Sequence, residues 1–214
     1  MKYPVIIFDW DGTLMDSIDK IVACMKQAAI ATGLEVPGSQ AIRNIIGLSL
    51  DKAMAQLYPM QPLVKQVAMK NAYREQYLLY NKQQTPFYPG IKEWLVSLKE
   101  QGYTLAVATG KGRNGLNRIL HQYDVHDLFS VTYCADETSS KPDPLMLNKI
   151  LEDLDMQPHQ ALMIGDSSYD LEMANNANIA CVGVDYGVHS DAVLSQFEPL
   201  AILSDLPTEL GSYI

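Results

Sequence analysis

The sequence predicts an α/β fold, a doubly wound parallel sheet with an inserted α-helical cap, and three observations support this prediction. Short apolar runs recur along the chain and are near-continuous, which is typical of parallel strands covered on both faces. Helical patterns alternate with these runs from about Pro89 onward, as in a doubly wound sheet. The stretch from about Ser17 to Gln84 contains no convincing strand. We therefore expect an α/β core of residues 1–16 and 87–214 and a helical cap of residues 17–86.

The core elements follow from these runs in chain order. Five apolar runs predict strands, and they are Val5–Phe8, Leu105–Ala108, Val131–Cys134, Ala161–Ile164 and Ala180–Val184. Between them, apolar residues at helical spacing predict a helix that ends before Gly102, a plausible C′ residue. A later apolar stripe predicts a helix that Asp143-Pro144 begins and that extends to about Leu154.

Helical periodicity alone predicts the cap. An apolar stripe at helical spacing follows the first strand, and its members are Ile18, Ile21, Val22, Met25, Ala28 and Ala29. A longer helix is expected over Val64–Lys82. Turn residues lie on both sides of this block, at Asp11-Gly12 and in residues 86–90, so it reads as an inserted module.

Composition narrows the possible partners. The 214 residues carry a net charge of −9, and a negative field does not favour contact with DNA or RNA. Three widely spaced cysteines fit neither a disulfide framework nor a zinc site. The first apolar run is too short for a signal peptide, and no run approaches the length of a membrane span. We expect a cytoplasmic protein without nucleic-acid or membrane partners, either a monomer or a weak homodimer.

Two carboxylates follow the first strand, at Asp9 and Asp11. Ligands bind at the carboxyl ends of strands in open α/β sheets, so the two side chains can converge on one site. Burying like charges together costs energy unless a cation lies between them, which makes metal ligand and acid/base the candidate roles. Gly12 would let the backbone approach an anion closely. The alternative is a simple turn, since Asp, Gly and Thr are common turn residues.

The second and third strands also end in groups that suit a phosphate. Thr109-Gly110-Lys111 offers a hydroxyl and free backbone N–H groups before a helix, although Thr109 could instead cap that helix. Lys141 lies in a loop stiffened by two prolines, and a fixed ammonium group can neutralise phosphoryl charge. The alternative for Lys141 is an ordinary solvated lysine.

The fourth strand is followed by two more carboxylates, Asp166 and Asp170. Mg²⁺ prefers oxygen ligands, often one or two carboxylates together with substrate phosphate and water. Asp170 could be a ligand, a partner of a ligand or only a helix-start carboxylate. Independent turns would seldom give four successive strand ends such groups, so the combination predicts a phosphoryl-transfer site.

With these motifs the chain resembles the haloacid dehalogenase-like hydrolases over essentially its whole length. The segment Asp9–Thr13 resembles the first family motif, Thr109 the second and Lys141 the third, while Gly165-Asp166 with Asp170 resembles the fourth. The helical insertion is similar to the cap of the phosphoglycolate phosphatase-like branch. The resemblance implies a Mg²⁺-dependent phosphatase acting on a small phosphorylated metabolite, such as 2-phosphoglycolate or a sugar phosphate.

The resemblance also implies a role for each motif residue. Asp9 attacks phosphorus and forms an aspartyl-phosphate, and Asp11 protonates the leaving oxygen and then activates water. The implied Mg²⁺ ligands are the carboxylates of Asp9 and Asp166 and the backbone carbonyl of Asp11. The phosphoryl group is bound by Thr109 and Lys141, with Lys141 also steadying Asp9. The fourth-motif Asp170 supports the metal indirectly.

The chain departs from the family pattern at two positions, and one of its cap loops resembles a loop of the family. Gly110 stands where asparagine is frequent, which leaves backbone N–H groups to bind the phosphoryl group, and Trp10 is bulkier than the usual aliphatic residue. The segment 43–50 resembles the cap loop that dips toward the site, so Arg43 is a candidate to meet a substrate anion. A solvated helix-face arginine is the open alternative. Arg74 and Lys111 are similar candidates.

Other activities of the same fold fit the sequence less well. A sugar-phosphate mutase of this kind carries a histidine in the first cap helix, and residues 17–31 contain none. A phosphonate hydrolase needs a cap lysine, for which Lys52 lies in a plausible region with a poorly fitting pattern. A dehalogenase would leave Asp11 and Asp166 unexplained. A non-catalytic binding protein would be expected to lose the four charged motif residues, which are all present.

Overall fold

The computed structural model describes residues 1–80 and 85–214 of the chain. Six parallel strands form one sheet in the order β3-β2-β1-β4-β5-β6. Their bounds are β1 Val5–Phe8, β2 Thr104–Thr109, β3 Val131–Cys134, β4 Ala161–Gly165, β5 Ala180–Val184 and β6 Ile202–Leu203. The chain order reverses direction across β1, which puts the switch point of the sheet at the end of this strand.

The central strand β1 is buried on both faces. Its side chains are fully buried, and Ile7 pairs in register with Ala106 of β2 and Met163 of β4. Two hydrophobic clusters cover the two faces, one containing Ile6 and Phe8 and the other Val5 and Ile7. Burial on both faces explains why the sequence of β1 is continuously apolar rather than alternating.

Six helices accompany the sheet after the cap. They are α5 Ile91–Glu100, α6 Arg113–Tyr123, α7 Leu145–Leu154, α8 Ser168–Asn176, α9 Asp191–Leu194 and α10 Leu206–Glu209. Helix α5 is followed by Gly102 with a φ of +91°, a left-handed conformation that glycine adopts at low cost. Helix α7 begins directly after Pro144, whose missing N–H costs nothing at a helix start.

Between β1 and α5, the described residues form four α-helices that share a separate hydrophobic cluster. They are α1 Ile18–Thr32, α2 Ser39–Arg43, α3 Leu50–Leu57 and α4 Leu63–Leu79. The buried stripe of α1 packs against α4, with Met25 and Met69 both fully buried. These helices fall inside the predicted cap of residues 17–86. The predicted helix end at Lys82 lies outside the described residues, and the exact cap boundaries stay a prediction.

The sequence located the five longer strands to within one or two residues at each end. The short strand β6, Ile202–Leu203, was missed because two residues are too few to give a pattern. The three cysteines are all buried and free. Within residues 1–80 and 85–214, the helices are too short or too polar to cross a bilayer.

Candidate active site

The carboxyl ends of four neighbouring strands bring the motif residues to one edge of the sheet. Asp9 follows β1, Thr109 ends β2, Lys141 lies in the loop after β3 and Asp166 follows β4. All four side chains are buried, with exposed fractions of 0–1%. Parallel strands end at the same edge, and this shared edge joins residues that are far apart in sequence.

A buried lysine joins two of the carboxylates. Lys141 Nζ lies 2.6 Å from Asp9 Oδ1 and 2.5 Å from Asp170 Oδ1, and no surface of the lysine is exposed. One carboxylate oxygen from each of Asp9, Asp166 and Asp170 can be chosen such that the three lie within 4.8 Å of one another. Lys141 is thus held in the site, and its interpretation as a solvated loop lysine is excluded.

Backbone and hydroxyl donors fix the orientation of Asp166. Its Oδ1 accepts from Thr13 Oγ1 at 2.9 Å and its Oδ2 from the Val188 N–H at 2.9 Å. A Cβ on Gly12 would lie 2.3 Å from Asp166 Oδ2, and one on Gly187 would lie 2.1 Å from Asp166 Cβ. Gly12 also has a φ of +89°. Both positions therefore need glycine so that backbone can approach this carboxylate.

Asp170 combines two of the roles that the sequence left open. It is the third residue of α8, where its Oδ2 accepts from the Ser167 N–H at 3.1 Å and from Ser167 Oγ at 2.6 Å in a capping box. Its other oxygen accepts from Lys141. The helix-start role is real, and it orients Asp170 toward the buried lysine.

The electrostatics of this cluster call for a cation. Burial is the main cause that raises the pKa of Asp9 to about 7, and the pKa of Asp166 is raised well above its usual value by burial and by Asp9. The neighbouring Asp170 and Asp9 carboxylates raise the pKa of Lys141, although burial alone would lower it. With all three carboxylates ionised, one ammonium group leaves a deficit of two positive charges. A divalent, oxygen-preferring cation such as Mg²⁺ fits this donor set.

The Asp11 carboxylate lies outside this cluster and has different partners. Lys111 Nζ lies 3.0 Å from its Oδ1 and 2.8 Å from its Oδ2, and Ser17 Oγ donates to Oδ1 at 2.7 Å. The ion pair with Asp11 raises the pKa of Lys111, against the effect of burial. Any contribution of Asp11 to a metal site is therefore left to its backbone carbonyl, as the family resemblance implies.

The loop after β2 presents Thr109 to the same site. Thr109 Oγ1 accepts from the Lys111 N–H at 3.2 Å, while α6 begins at Arg113 with Gly112 at its N-cap. Thr109 therefore does not cap α6, which excludes the alternative of a capping residue. The helix N-terminus and the hydroxyl of Thr109 together form a surface suited to an anion.

A cavity of about 390 Å³ lies between the cap helices and this edge of the sheet. Its core side includes Asp9, Asp11, Thr109 and Gly110, and its cap side is mainly apolar. The apolar cap residues are Ile21, Met25, Ile45, Ile46, Leu48, Leu50, Ala53, Tyr73 and Leu78. A volume of this size is typical of a binding site for a small molecule.

The cap touches the core closely beside this cavity. A Cβ on Gly110 would lie 2.4 Å from the Gly47 carbonyl oxygen of the cap. Ser49 N–H donates to Ser140 Oγ at 2.8 Å, and Tyr169 Oη donates to the Asn44 carbonyl at 2.8 Å. The structure thus describes the cap in contact with the core, with its loop 45–48 over the motif residues.

Two cap residues considered from the sequence lie elsewhere. Arg43 forms an ion pair with Asp19 at 2.5 Å, both on the cap, and is not among the residues that line the described cavity. Lys52 donates to the Ser140 carbonyl at 3.3 Å and does not line that cavity either. The expectation that Arg43 meets the substrate is not supported by this geometry. The other two candidates, Arg74 and Lys111, do line the cavity.

The sequence analysis did not single out three residues that the structure brings to the site. Ser17 bonds to Asp11, while Tyr77 and Arg118 line the cavity. Ser17 precedes a predicted helix, where a serine is equally typical of an N-cap residue. The sequence contains no signal that places Tyr77 and Arg118 at the site, because their position depends on how α4 and α6 face each other.

Comparisons with known proteins agree with this fold and site. A protein-family model described as "Haloacid dehalogenase-like hydrolase" matches residues 6–184. The chain is 33% identical to "Probable phosphatase IndB" of Dickeya dadantii (strain 3937), over 98% of this chain and 93% of that one. It is 29% identical to a phosphoglycolate phosphatase of Vibrio cholerae serotype O1, over 96% and 95% of the two chains.

A solved structure is also similar over the full length. It is the crystal structure of a "predicted phosphoglycolate phosphatase" from Haemophilus somnus 129pt, with a TM-score of 0.87 and 26% identity over 100% of this chain and 99% of that one. The chain belongs to the haloacid dehalogenase-like hydrolases. The predicted family, the α/β fold and the class of enzyme, a phosphatase, are confirmed.

Proposed function

We propose that this protein hydrolyses a small phosphomonoester with Mg²⁺, through a covalent aspartyl-phosphate on Asp9. One observation supports the proposal most directly. The buried Asp9 carboxylate borders the cavity, and Lys141 Nζ lies 2.6 Å from Asp9 Oδ1 within a cluster of three acids. A carboxylate nucleophile divides one difficult displacement into two easier steps. The Vibrio cholerae relative is named a phosphoglycolate phosphatase, which supports a compact substrate of that kind or a sugar phosphate.

In the first step, a carboxylate oxygen of Asp9 attacks phosphorus and the bond to the leaving oxygen breaks. Asp11 gives a proton to that oxygen, so the leaving group departs as an alcohol rather than an alkoxide. Lys141 and the Thr109 hydroxyl bind phosphoryl oxygens as charge shifts among them. A bound Mg²⁺, held by Asp9, Asp166 and the Asp11 carbonyl, would add positive charge at the phosphoryl group.

In the second step, Asp11 acts in the opposite direction. Its carboxylate takes a proton from water, the oxygen of that water attacks phosphorus, and the bond to Asp9 breaks to release inorganic phosphate. Ser17 Oγ and Lys111 Nζ hold this carboxylate at 2.7–3.0 Å, so they control where it points. The proton that Asp11 gives to the leaving oxygen in the first step is replaced by the proton that it takes from water in the second, so the cycle closes.

The cap supports the same chemistry by limiting access of water. Its apolar side chains cover the cavity, and its loop 45–48 lies against Gly110. A closed site strengthens the electrostatic contacts to the phosphoryl group, and the cap must reopen to release the products. The predicted division into a core and a cap is thus part of the proposed mechanism.

The rival activities have less support in the site. Ile21 lines the cavity from the first cap helix, where a mutase would present a histidine. Lys52 is engaged with the Ser140 carbonyl, so the lysine that a phosphonate hydrolase needs is not at the cavity. A binding protein without catalysis would not need a nucleophile, an acid and a lysine gathered around one cavity.

Substitution of the nucleophile tests the proposal. Asp9→Asn keeps the size of the side chain but cannot form the covalent bond, so turnover of phosphomonoesters should fall by a factor of roughly 10³ or more. Asp19→Asn, an exposed cap acid, is the control and should keep wild-type rates. Activity in Asp9→Asn equal to that of the control, or activity unaffected by removal of Mg²⁺ with EDTA, would contradict the proposal.

A further inference from the structure

The cavity continues beyond the phosphoryl site along one face of α6. Lys111 lines it just before the helix, and Asn114, Gly115 and Arg118 line it from α6, where their spacing of one and three residues puts them on one helical face. Helix α6 begins at Arg113, so Arg118 lies about 7.5 Å further along the helix axis. The whole cavity, at about 390 Å³, is larger than a two-carbon acid such as glycolate needs.

Two polar atoms in the lining of the cavity are buried without a hydrogen bond, and the ring of one of them, Tyr77, lies 4.5 Å from Lys20 Nζ and 5.1 Å from Lys111 Nζ. Among residues 1–80 and 85–214, Tyr77 Oη and Arg118 Nε are the buried side-chain nitrogen and oxygen atoms that lack a hydrogen bond. Both residues line the cavity, one from the cap and one from the core. An unpaired buried polar group costs free energy comparable to a lost hydrogen bond, so such groups are rare without a ligand.

The charge at this end is positive. The described part of the chain offers Arg118 no ion pair, and residues 81–84 contain no acidic side chain. Lys20 lies beside it, and its pKa is lowered mainly by burial, with Lys111 and Arg118 adding repulsion. Asp136 also lines the cavity, at the start of α6, where its carboxylate accepts from the Arg113 N–H. A negatively charged ligand group would therefore be bound at the Arg118 end.

The surface between the two polar ends is apolar. Ile21, Met25 and Tyr73 of the cap line the cavity, and all three are buried. These side chains offer little to the hydroxyl groups of a sugar, whereas they would bury an apolar ring or chain favourably. The cavity thus has a phosphoryl end, an apolar middle and a cationic far end.

We infer that the substrate is the phosphate ester of an alcohol larger than glycolate, with an apolar body and a second anionic group bound by Arg118 and Tyr77. This inference rests on the proposed function and specifies the leaving group of that same site. Arg118 donates from Nε to the second anion, and Tyr77 donates from its hydroxyl group. A carboxylate and a second phosphate share the required chemistry, so the experiment uses one of each.

The test compares esters that differ in the second anion. The probes are phenyl phosphate, 4-carboxyphenyl phosphate and benzene-1,4-diyl bisphosphate, each with Mg²⁺, and the ratio of kcat/KM to that of phenyl phosphate is measured. In the wild type we expect the better of the two probes with a second anionic group to exceed phenyl phosphate by about tenfold or more. Which of them is better distinguishes a carboxylate from a phosphate as the natural group.

Substitutions then assign the preference to the two residues. Arg118→Met should reduce the kcat/KM ratio to near one while phenyl phosphate is hydrolysed within about twofold of wild type, and Tyr77→Phe should reduce it about threefold or more. Arg118→Lys, which keeps the charge, should recover part of the preference. Gln122→Met, an exposed position on the same helix, is the control. Thermal stability should not fall in Arg118→Met or Tyr77→Phe, because each removes an unpaired buried atom.

The outcomes separate this inference from the proposed function. A wild-type ratio near one, or an equal ratio in wild type and Arg118→Met, would overturn the inference while Asp9-dependent hydrolysis of phenyl phosphate still supported the phosphatase mechanism. Absence of Mg²⁺-dependent hydrolysis of all three esters would overturn both. Higher activity on 2-phosphoglycolate than on either aryl ester with a second anionic group would also contradict the larger leaving group.

Discussion

Replacing Gly110 by alanine or asparagine should lift the cap loop from the core. A Cβ at this position would lie 2.4 Å from the Gly47 carbonyl oxygen and 2.8 Å from the Leu48 carbonyl oxygen, whereas ordinary contact begins at 3.4 Å. The loop would have to withdraw by about 1 Å to restore that contact, since both obstacles are backbone atoms. A misplacement of about 1 Å in a catalytic site can reduce the rate roughly 100-fold.

The expected result is therefore a loss in kcat/KM of roughly 100-fold for Gly110→Ala and at least as much for Gly110→Asn. Steady-state hydrolysis of phenyl phosphate with Mg²⁺ measures it. The melting temperature should change by less than about 3 °C, because the cap can move without disrupting the core. Gly38→Ala is the matched control, since a Cβ there meets nothing within 4 Å. Gly110→Asn with wild-type kcat/KM would refute this reasoning, although asparagine is frequent there in the family.

Three further predictions concern the buried charges. Lys141→Met leaves Asp9 and Asp170 without their partner, so the free energy of unfolding at pH 8 should fall by about 3 kcal/mol in urea titrations, and activity should be lost. The folded-state pKa of Asp9 is raised to about 7, so the metal-free protein should lose thermal stability as the pH rises from 5 to 8. Mg²⁺ should stabilise the protein most at the upper end of this pH range. A melting temperature that rises with pH in EDTA would contradict this prediction. Ser17→Ala removes the 2.7 Å hydrogen bond to Asp11 and should lower kcat about tenfold. Little stability should be lost, because the Ser17 side chain makes no capping hydrogen bond to the helix. An unchanged kcat would argue against a role of Ser17 in positioning Asp11.

The sequence predicted the sheet well because its physical signal is local. A strand buried on both faces must be continuously apolar, and residues such as Val5 to Phe8 carry that signal by themselves. Strand β6, with Ile202 and Leu203, joins the sheet only because β5 offers a free edge. Two residues cannot carry a period, so that strand could be found only from the fold.

The core of the site was predictable for a related reason. Parallel strands end at one edge, so side chains that follow successive strands meet there even when the chain separates them widely. This argument identified Asp9, Thr109, Lys141 and Asp166 as neighbours. It could not tell that the carboxylate of Asp11 would pair with Lys111, because both follow strand ends and either could have faced the cluster of acids around Lys141.

The cap contacts were not predictable from periodicity. A helical stripe shows which face of a helix is buried, but not which residues of another domain it meets. Arg43 was expected near the substrate because of its place in the cap loop, yet its partner is Asp19. Tyr77 of the cap and Arg118 of the core line the same cavity only because the cap docks on the core. The need for glycine at position 110 has the same origin, in the backbone of Gly47.

Direct trapping of the covalent intermediate tests the central claim. Asp11→Asn lacks the base for the second step, so after mixing with Mg²⁺ and a good phosphate ester, acid quenching and proteolysis, mass spectrometry should find one phosphoryl group on Asp9. A peptide containing residue 9 that stays unmodified while the alcohol is released, or a phosphoryl group found on another residue, would contradict the mechanism.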